Sequence, residues 1–153
     1  MATELDETDR RILAALRADG RLSMRTLAEQ IHISRANAYA RVERLRETGV
    51  LRGFHADVDP VAAGLGTTAY VTLNLSQHHW RTLRSRLQAL PGVAHIGLVG
   101  GEVDVVLLVR TRDNAELRRL VLDEIQSIDG VVSTRTWLVF EELEPTLRPG
   151  API

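Results

Sequence analysis

The residues best suited to chemistry cluster between positions 20 and 55. This stretch carries Arg21, Arg25, Arg35, Arg41, Arg44, Arg46 and Arg52 against Glu29, Glu43 and Glu47, a local net charge of +4. The preceding segment, Met1 to Asp19, is net −2, and the whole chain of 153 residues is −1. A single basic face is enough for a nucleic-acid surface, because affinity comes from neutralising nearby phosphates. Ser34, Arg35, Asn37, Tyr39 and Arg41 are expected on the outer side of one basic helix. Their hydroxyl, guanidinium and amide groups suit phosphates and base edges in a major groove. All 19 basic residues are arginine. Codon bias in a GC-rich genome explains that uniformity, so no arginine is assigned a role merely for not being lysine.

Other chemistries have little to work with. The absence of cysteine removes disulfides, thiolate metal sites and a thiol nucleophile together. His32, His55, His78, His79 and His95 show no metal-ligand spacing, and no nucleophile–base pair or phosphate-cradling loop accompanies them. Only His95 falls on a strand that could line a sheet, and His78-His79 reads as a polar turn. Neither an enzyme nor a resident metal or cofactor is expected. No apolar run approaches the roughly 20 residues a membrane helix needs, and the acidic start lacks a secretory core. A cytoplasmic protein without a membrane partner is the expectation.

The elements that must position the basic residues begin at Asp6, a helix cap with Asp9 three residues on and acids filling the first turn. Ile12, Leu13 and Leu16 form its apolar face, and Asp19-Gly20 ends it. Ser23 caps a second helix with Leu27, Ala28 and Ile31 inward. Ser34 caps a third, about Arg35 to Glu47, with Ala38, Val42 and Leu45 inward and Gly49 at its end. Two short helices joined by a tight turn, the second one basic, make a helix-turn-helix between about Ser23 and Thr48. A plain three-helix bundle with a solvated basic face is the competing reading. The turn often calls for glycine in left-handed geometry; His32 stands there, and histidine tolerates that region better than most residues. Val50-Leu51 and Phe54, Ala56 and Val58 read as short strands around Arg52-Gly53, a wing or connecting strand.

Residues 1–58 are expected to form a DNA-binding unit, 59–66 a linker, 67–144 a second domain and 145–153 a tail. In the second domain Thr67 to Ser76 alternates as a strand. Trp80, Leu83, Leu87 and Leu90 mark a helix. Val93 to Val99 and Val103 to Val109 are strands around Gly100-Gly101. Leu117, Leu120, Val121, Leu122 and Ile125 mark a second helix, and Val131 to Phe140 is the last strand. The fold class is α+β, with a ferredoxin-like βαββαβ arrangement in this half. The strand Val103 to Val109 is apolar on both faces, yet helices can cover only one. The other face is expected to bury itself in a homodimer.

A series of motifs runs from Leu5 to Glu142. It begins with Leu5-Asp6-Glu7-Thr8-Asp9-Arg10-Arg11-Ile12-Leu13 and Asp19-Gly20-Arg21. It continues through Arg41-Val42-Glu43-Arg44-Leu45, Gly49-Val50-Leu51-Arg52-Gly53-Phe54 and Pro60. Gly101-Glu102-Val103-Asp104 and Gly130-Val131 with Thr134-Arg135-Thr136 complete it. In this order and spacing the chain resembles the Lrp/AsnC (feast/famine) regulators. The resemblance implies an N-terminal winged helix-turn-helix and a C-terminal effector-binding domain. It also implies dimers that assemble to tetramers or octamers, paired half-sites on double-stranded DNA, and an amino acid or related small metabolite as effector. It places the effector site at Gly100, Gly101, Glu102, Asp104, Thr134 and Thr136, between subunits. Glycine amides could approach a carboxylate, Asp104 could take an ammonium group, and threonine hydroxyls could complete the ring. The ordinary alternative is a hairpin turn at Gly100-Gly101 with Asp104 paired to an arginine such as Arg135.

Overall fold

The computed structural model describes residues 4–76 and 80–143. They form two compact units that divide between Asp57 and Val58. The first holds α1 (Glu7–Ala18), α2 (Met24–Ile31) and α3 (Arg35–Glu47). Each starts where a side chain satisfies an otherwise unpaired backbone N–H. Asp6 takes the N–H of Asp9, and Asp9 returns the bond to Asp6, a complete capping box. Ser23 takes the N–H of Thr26, and Ser34 that of Asn37. The three helices enclose Ile12, Leu13, Leu16, Leu27, Ile31, Val42 and Leu45.

His32 occupies the tight turn with φ 59° and ψ 49°. It is the one non-glycine residue with positive φ among the described residues. The N–H groups of His32 and Ile33 close α2 onto Glu29 and Ala28. Ser34 then opens α3 two residues later, which fixes the angle between the helices.

The expected wing strands do not form. Residues 50–58 carry no regular strand. The Leu51 N–H is spent on the Leu45 carbonyl at 2.8 Å, closing α3. Val50 and Leu51 pack on the three-helix core instead of pairing. A two-residue segment committed in this way cannot supply half of a ladder.

The second unit contains β1 (Thr67–Leu75), α4 (Trp80–Ala89), β2 (Val93–Leu98), β3 (Val105–Thr111), α5 (Asn114–Arg119) and β4 (Val131–Leu138). The sheet order is β2-β3-β1-β4, every pairing antiparallel. This is the ferredoxin-like βαββαβ arrangement. One face packs Ala69, Val71, Leu73, Val105, Leu107 and Val109 against Leu83, Leu87, Leu117 and Ile125 of the helices. Alternation along β1 and β3 dictates which side chains enter that layer.

Two elements depart from expectation. Residues 59–66 are largely a folded turn: the Asp59 carboxylate takes the N–H groups of Val61 and Ala62, and Leu65 donates to the Pro60 carbonyl at 2.7 Å. The second helix also changes character, continuing from α5 as a π-helical turn over Leu120–Ile125. The Gln126 N–H reaches back five residues to Val121. That wider winding buries Leu120, Val121 and Ile125 but rotates Leu122, expected inward, to 44% exposure. His78, His79 and the tail 145–153 lie outside the described residues. No helix of the described residues is long and apolar enough to cross a membrane.

Left-handed backbone costs a side-chain-bearing residue roughly 1–2 kcal/mol, whereas glycine pays mainly a smaller entropy. His32→Gly should therefore stabilise the first unit by about 0.5–1 kcal/mol, and His32→Val should destabilise it. Urea unfolding followed by circular dichroism reads both changes.

Candidate nucleic-acid interface and ligand loop

Burial of Ala38, Val42 and Leu45 fixes how α3 rolls on the core and turns residues 35–37, 39 and 40 outward. Arg35 lies over the Tyr39 ring, 5.6 Å from its centroid. A guanidinium–ring pair one helical turn apart presents charge and a flat apolar surface together. Asn37 is also exposed, on the other flank of the helix. The Ser34 hydroxyl also caps the helix, accepting the Asn37 N–H at 3.2 Å.

Arg41 is placed differently from its four companions. Its Nη1 donates to Asp6 at 2.6 Å and to Asp9 at 2.8 Å, and its Nε donates to the Asn37 side-chain oxygen at 3.0 Å. Arg44 donates to the other Asp9 oxygen at 2.5 Å. Two of the seven arginines of the basic stretch are thus turned back toward α1. The local charge open to a partner is correspondingly smaller than the sequence count.

The Asp9 side chain has no exposed surface. Burial on its own would push its carboxyl upward, but hydrogen bonds from Arg44, Arg41 and the Asp6 backbone outweigh it and hold the carboxyl below the usual range. The Arg41 hydrogen bond is the main cause that lowers Asp6. Sequence reasoning missed this clamp because its partners stand 32 and 35 positions apart. It also missed Ala36 and Ala40, exposed methyls one turn apart in the middle of the outer face, between the flanks that carry Arg35 and Asn37. Two alanines on the outer side of a basic helix were the available signal, since small residues allow close approach to base edges and thymine methyls.

The expected effector residues fall into two groups. Gly100, Gly101 and Glu102 are exposed in the β2–β3 connection, and Gly101 has φ 133°, open to glycine and costly for other residues. Asp104 sits immediately before β3. Its N–H bonds to Leu73, and its carboxylate accepts the Leu75 N–H at 2.7 Å, where the β1–β4 register shifts. The carboxylate is thus engaged by the β1 backbone and not by Arg135. Thr134 pairs with Leu73 across β1, so it shares the sheet end of this loop. The Thr134 hydroxyl accepts from the Gln126 side chain at 2.7 Å. Thr136 lies two residues further along β4. It lines a separate groove of about 430 Å³ with Leu117, Val121, Leu122 and Leu138, which takes in none of residues 100–104. Among the described residues no group of three or more His, Asp or Glu side chains could hold a metal.

The open sheet face carries a row formed by His95, Leu108, Tyr70 and Trp137 across all four strands. Tyr70 is 45% and Trp137 49% exposed.

A carboxyl lowered by folding stabilises the fold fully above its unfolded value, and the contribution is lost as pH falls through the folded value. The clamp's contribution should thus be complete at neutral pH, begin to decline only below about pH 4, the ordinary aspartate range, and disappear at lower pH still. Asp9→Asn should cost about 1–2 kcal/mol at pH 7, because a buried hydrogen-bond set loses its charge while Arg44 stays half in solvent. It should also flatten the acid limb of a stability-versus-pH curve measured by denaturant unfolding.

Comparison with known proteins agrees with both units. Residues 5–52 match the winged helix-turn-helix DNA-binding model, and residues 68–149 match the Lrp/AsnC ligand binding domain model. The HTH-type transcriptional regulator AldR of Mycolicibacterium smegmatis is 38% identical over 145 residues, covering 93% of this chain and 85% of that protein. The solved structure of Escherichia coli AsnC superposes with a TM-score of 0.84 at 26% identity, covering 95% of this chain and 99% of that one. The transcriptional regulator NMB0573 of Neisseria meningitidis, solved as an L-Met complex, gives a TM-score of 0.85 at 26% identity, with coverage of 94% and 95%. A helix-turn-helix unit followed by a ligand-binding unit, matched along nearly the whole length, makes this chain a DNA-binding transcriptional regulator that belongs to the Lrp/AsnC family.

Proposed function

We propose that this regulator binds paired DNA half-sites as a homodimer or a tetramer or octamer built from it, and that an amino acid or related small metabolite alters that assembly. The observation that carries the DNA reading is the exposed face of α3, with Arg35 stacked on Tyr39 along one flank, Asn37 on the other and the methyls of Ala36 and Ala40 between them. Ser34, Arg35, Asn37 and Tyr39 meet phosphate and base edges. Arg41 acts by position, holding α3 to α1 through Asp6 and Asp9. The protein works in the cytoplasm, where its DNA is. Its named relatives are transcriptional regulators, and no catalytic role is assigned.

Dimerisation through the open sheet face is supported by its exposed Tyr70 and Trp137 and by half-buried Leu108. An apolar row of this kind is normally covered by a partner. The effector reading rests on the loop Gly100 to Asp104 together with Thr134, and on the L-Met complex of a related regulator. Thr136 joins the site only from another subunit or through the neighbouring groove. A ligand shifts assembly only by binding one assembly better than another.

Gel shifts on the DNA upstream of its own gene test the first part. Arg35→Ala with Asn37→Ala should weaken operator binding by about 10–100-fold and erase sequence preference, since a bidentate base contact is worth about 1–3 kcal/mol. Unchanged affinity and preference would place the reading face elsewhere. Light scattering should show a dimer or larger at micromolar concentration and a monomer for Leu108→Glu. Calorimetric titration with the twenty amino acids should find a ligand whose affinity falls in Asp104→Asn. That change removes the charge but keeps an acceptor for the Leu75 N–H; equal affinity would exclude Asp104 as the ammonium partner.

A further inference from the structure

A second small cleft lies in the second unit, away from the Gly100 to Asp104 loop. Val58, Pro60, Ala63 and Leu65 of the folded turn form one wall, and Val93 and Arg110 belong to the opposite side. Its volume is about 260 Å³, below the ~300–1,000 Å³ of sites for drug-sized ligands, so it suits a small occupant. The lining is apolar except for Arg110. The Gly92 position admits no side chain, because a Cβ there would stand 2.9 Å from the Arg110 carbonyl. This close approach keeps the floor of the cleft tight against β3.

Arg110 is incompletely satisfied. One terminal nitrogen donates to both Glu142 oxygens, at 2.8 and 3.0 Å. Its Nε is buried and has no hydrogen-bond partner among the described residues. A buried donor left unpaired is costly, and an acceptor that reaches it is favoured by that cost. A planar carboxylate matches the guanidinium fork with two parallel bonds, whereas Glu142 engages one nitrogen only. No acidic side chain lines the cleft, which leaves an ammonium group without a counter-charge there.

We propose that this cleft binds a short-chain aliphatic monocarboxylate or 2-oxo acid on Arg110, its tail against Val58, Leu65 and Val93, in exchange with the Glu142 carboxylate. Glu142 already neutralises the guanidinium, so the ligand and Glu142 compete for it. Occupation adds apolar contacts to the Asp59 to Leu65 turn and so stiffens the segment that follows the DNA-binding unit. The site is independent of the amino-acid reading of the Gly100 to Asp104 loop, and the acids it takes are the deaminated counterparts of aliphatic amino acids.

The test is calorimetric titration of the full chain with sodium isovalerate. Wild type should bind it and should give no binding signal with 3-methylbutan-1-ol, which lacks the carboxylate. Arg110→Met should weaken binding by about tenfold or more, the loss of a charge-assisted pair. Glu142→Gln should tighten it, because the internal competitor is gone. Asp104→Asn should leave it unchanged, which separates this cleft from the loop site. Should Arg110→Met not fold by circular dichroism, the opposite shift in Glu142→Gln still decides the matter. Equal affinity in wild type and Glu142→Gln would overturn the proposal, as would absence of binding in both or loss of isovalerate binding in Asp104→Asn.

Discussion

The buried carboxylate of Asp9 ties the DNA-binding unit together. It returns the capping bond to Asp6 at the start of α1, and it receives Arg41 and Arg44 from α3. A carboxylate taken out of water is stable only when its lone pairs are filled, and here backbone and guanidinium donors fill them. The cap that starts α1 and the clamp that orients α3 are therefore a single interaction. The angle at which α3 presents its outer face depends on it as much as on the apolar contacts of Val42 and Leu45.

That clamp divides the basic stretch by function. Arginines on the same helix do different work according to which way their long side chains bend. Arg41 and Arg44 neutralise acids within the fold, while Arg35 stays outward on Tyr39. The acidic N-terminal segment supplies the counter-charges, Asp6 and Asp9, that hold the basic helix in place. In the second unit the division is between sheet faces. Strand alternation buries one face under helices and leaves Tyr70, Leu108 and Trp137 on the other.

Much of this was legible from local chemistry. Asp6, Ser23 and Ser34 announce helix starts because a short polar side chain can satisfy an N–H two or three residues on. His32 announced a left-handed turn because few other non-glycine residues tolerate one. The βαββαβ order followed from period-two runs alternating with helical ones. What failed was non-local. Periodicity places Arg41 on a side of α3 but says nothing of acids 32 and 35 positions upstream. The π-helical turn that exposes Leu122 shifts the period within a single helix, where no sequence signal marked it. The wing strands looked plausible by composition, yet a strand exists only with a partner, and the Leu51 N–H was already taken. For Asp104 the neighbouring strand decided the outcome: its carboxylate meets the Leu75 N–H of β1 and not an arginine.

On the proposed function Arg35 faces the phosphates, while Arg41 holds the helix in place through Asp6 and Asp9. The direct measurement is the dependence of DNA affinity on salt for wild type, Arg35→Ala and Arg41→Ala, each checked for folding. Each phosphate contact contributes about 0.9 to the slope of log affinity against log salt concentration. The account predicts that Arg35→Ala lowers the slope by about one contact, whereas Arg41→Ala lowers fold stability and leaves the slope near that of wild type. A reduced slope for Arg41→Ala with Arg35→Ala unchanged would contradict it.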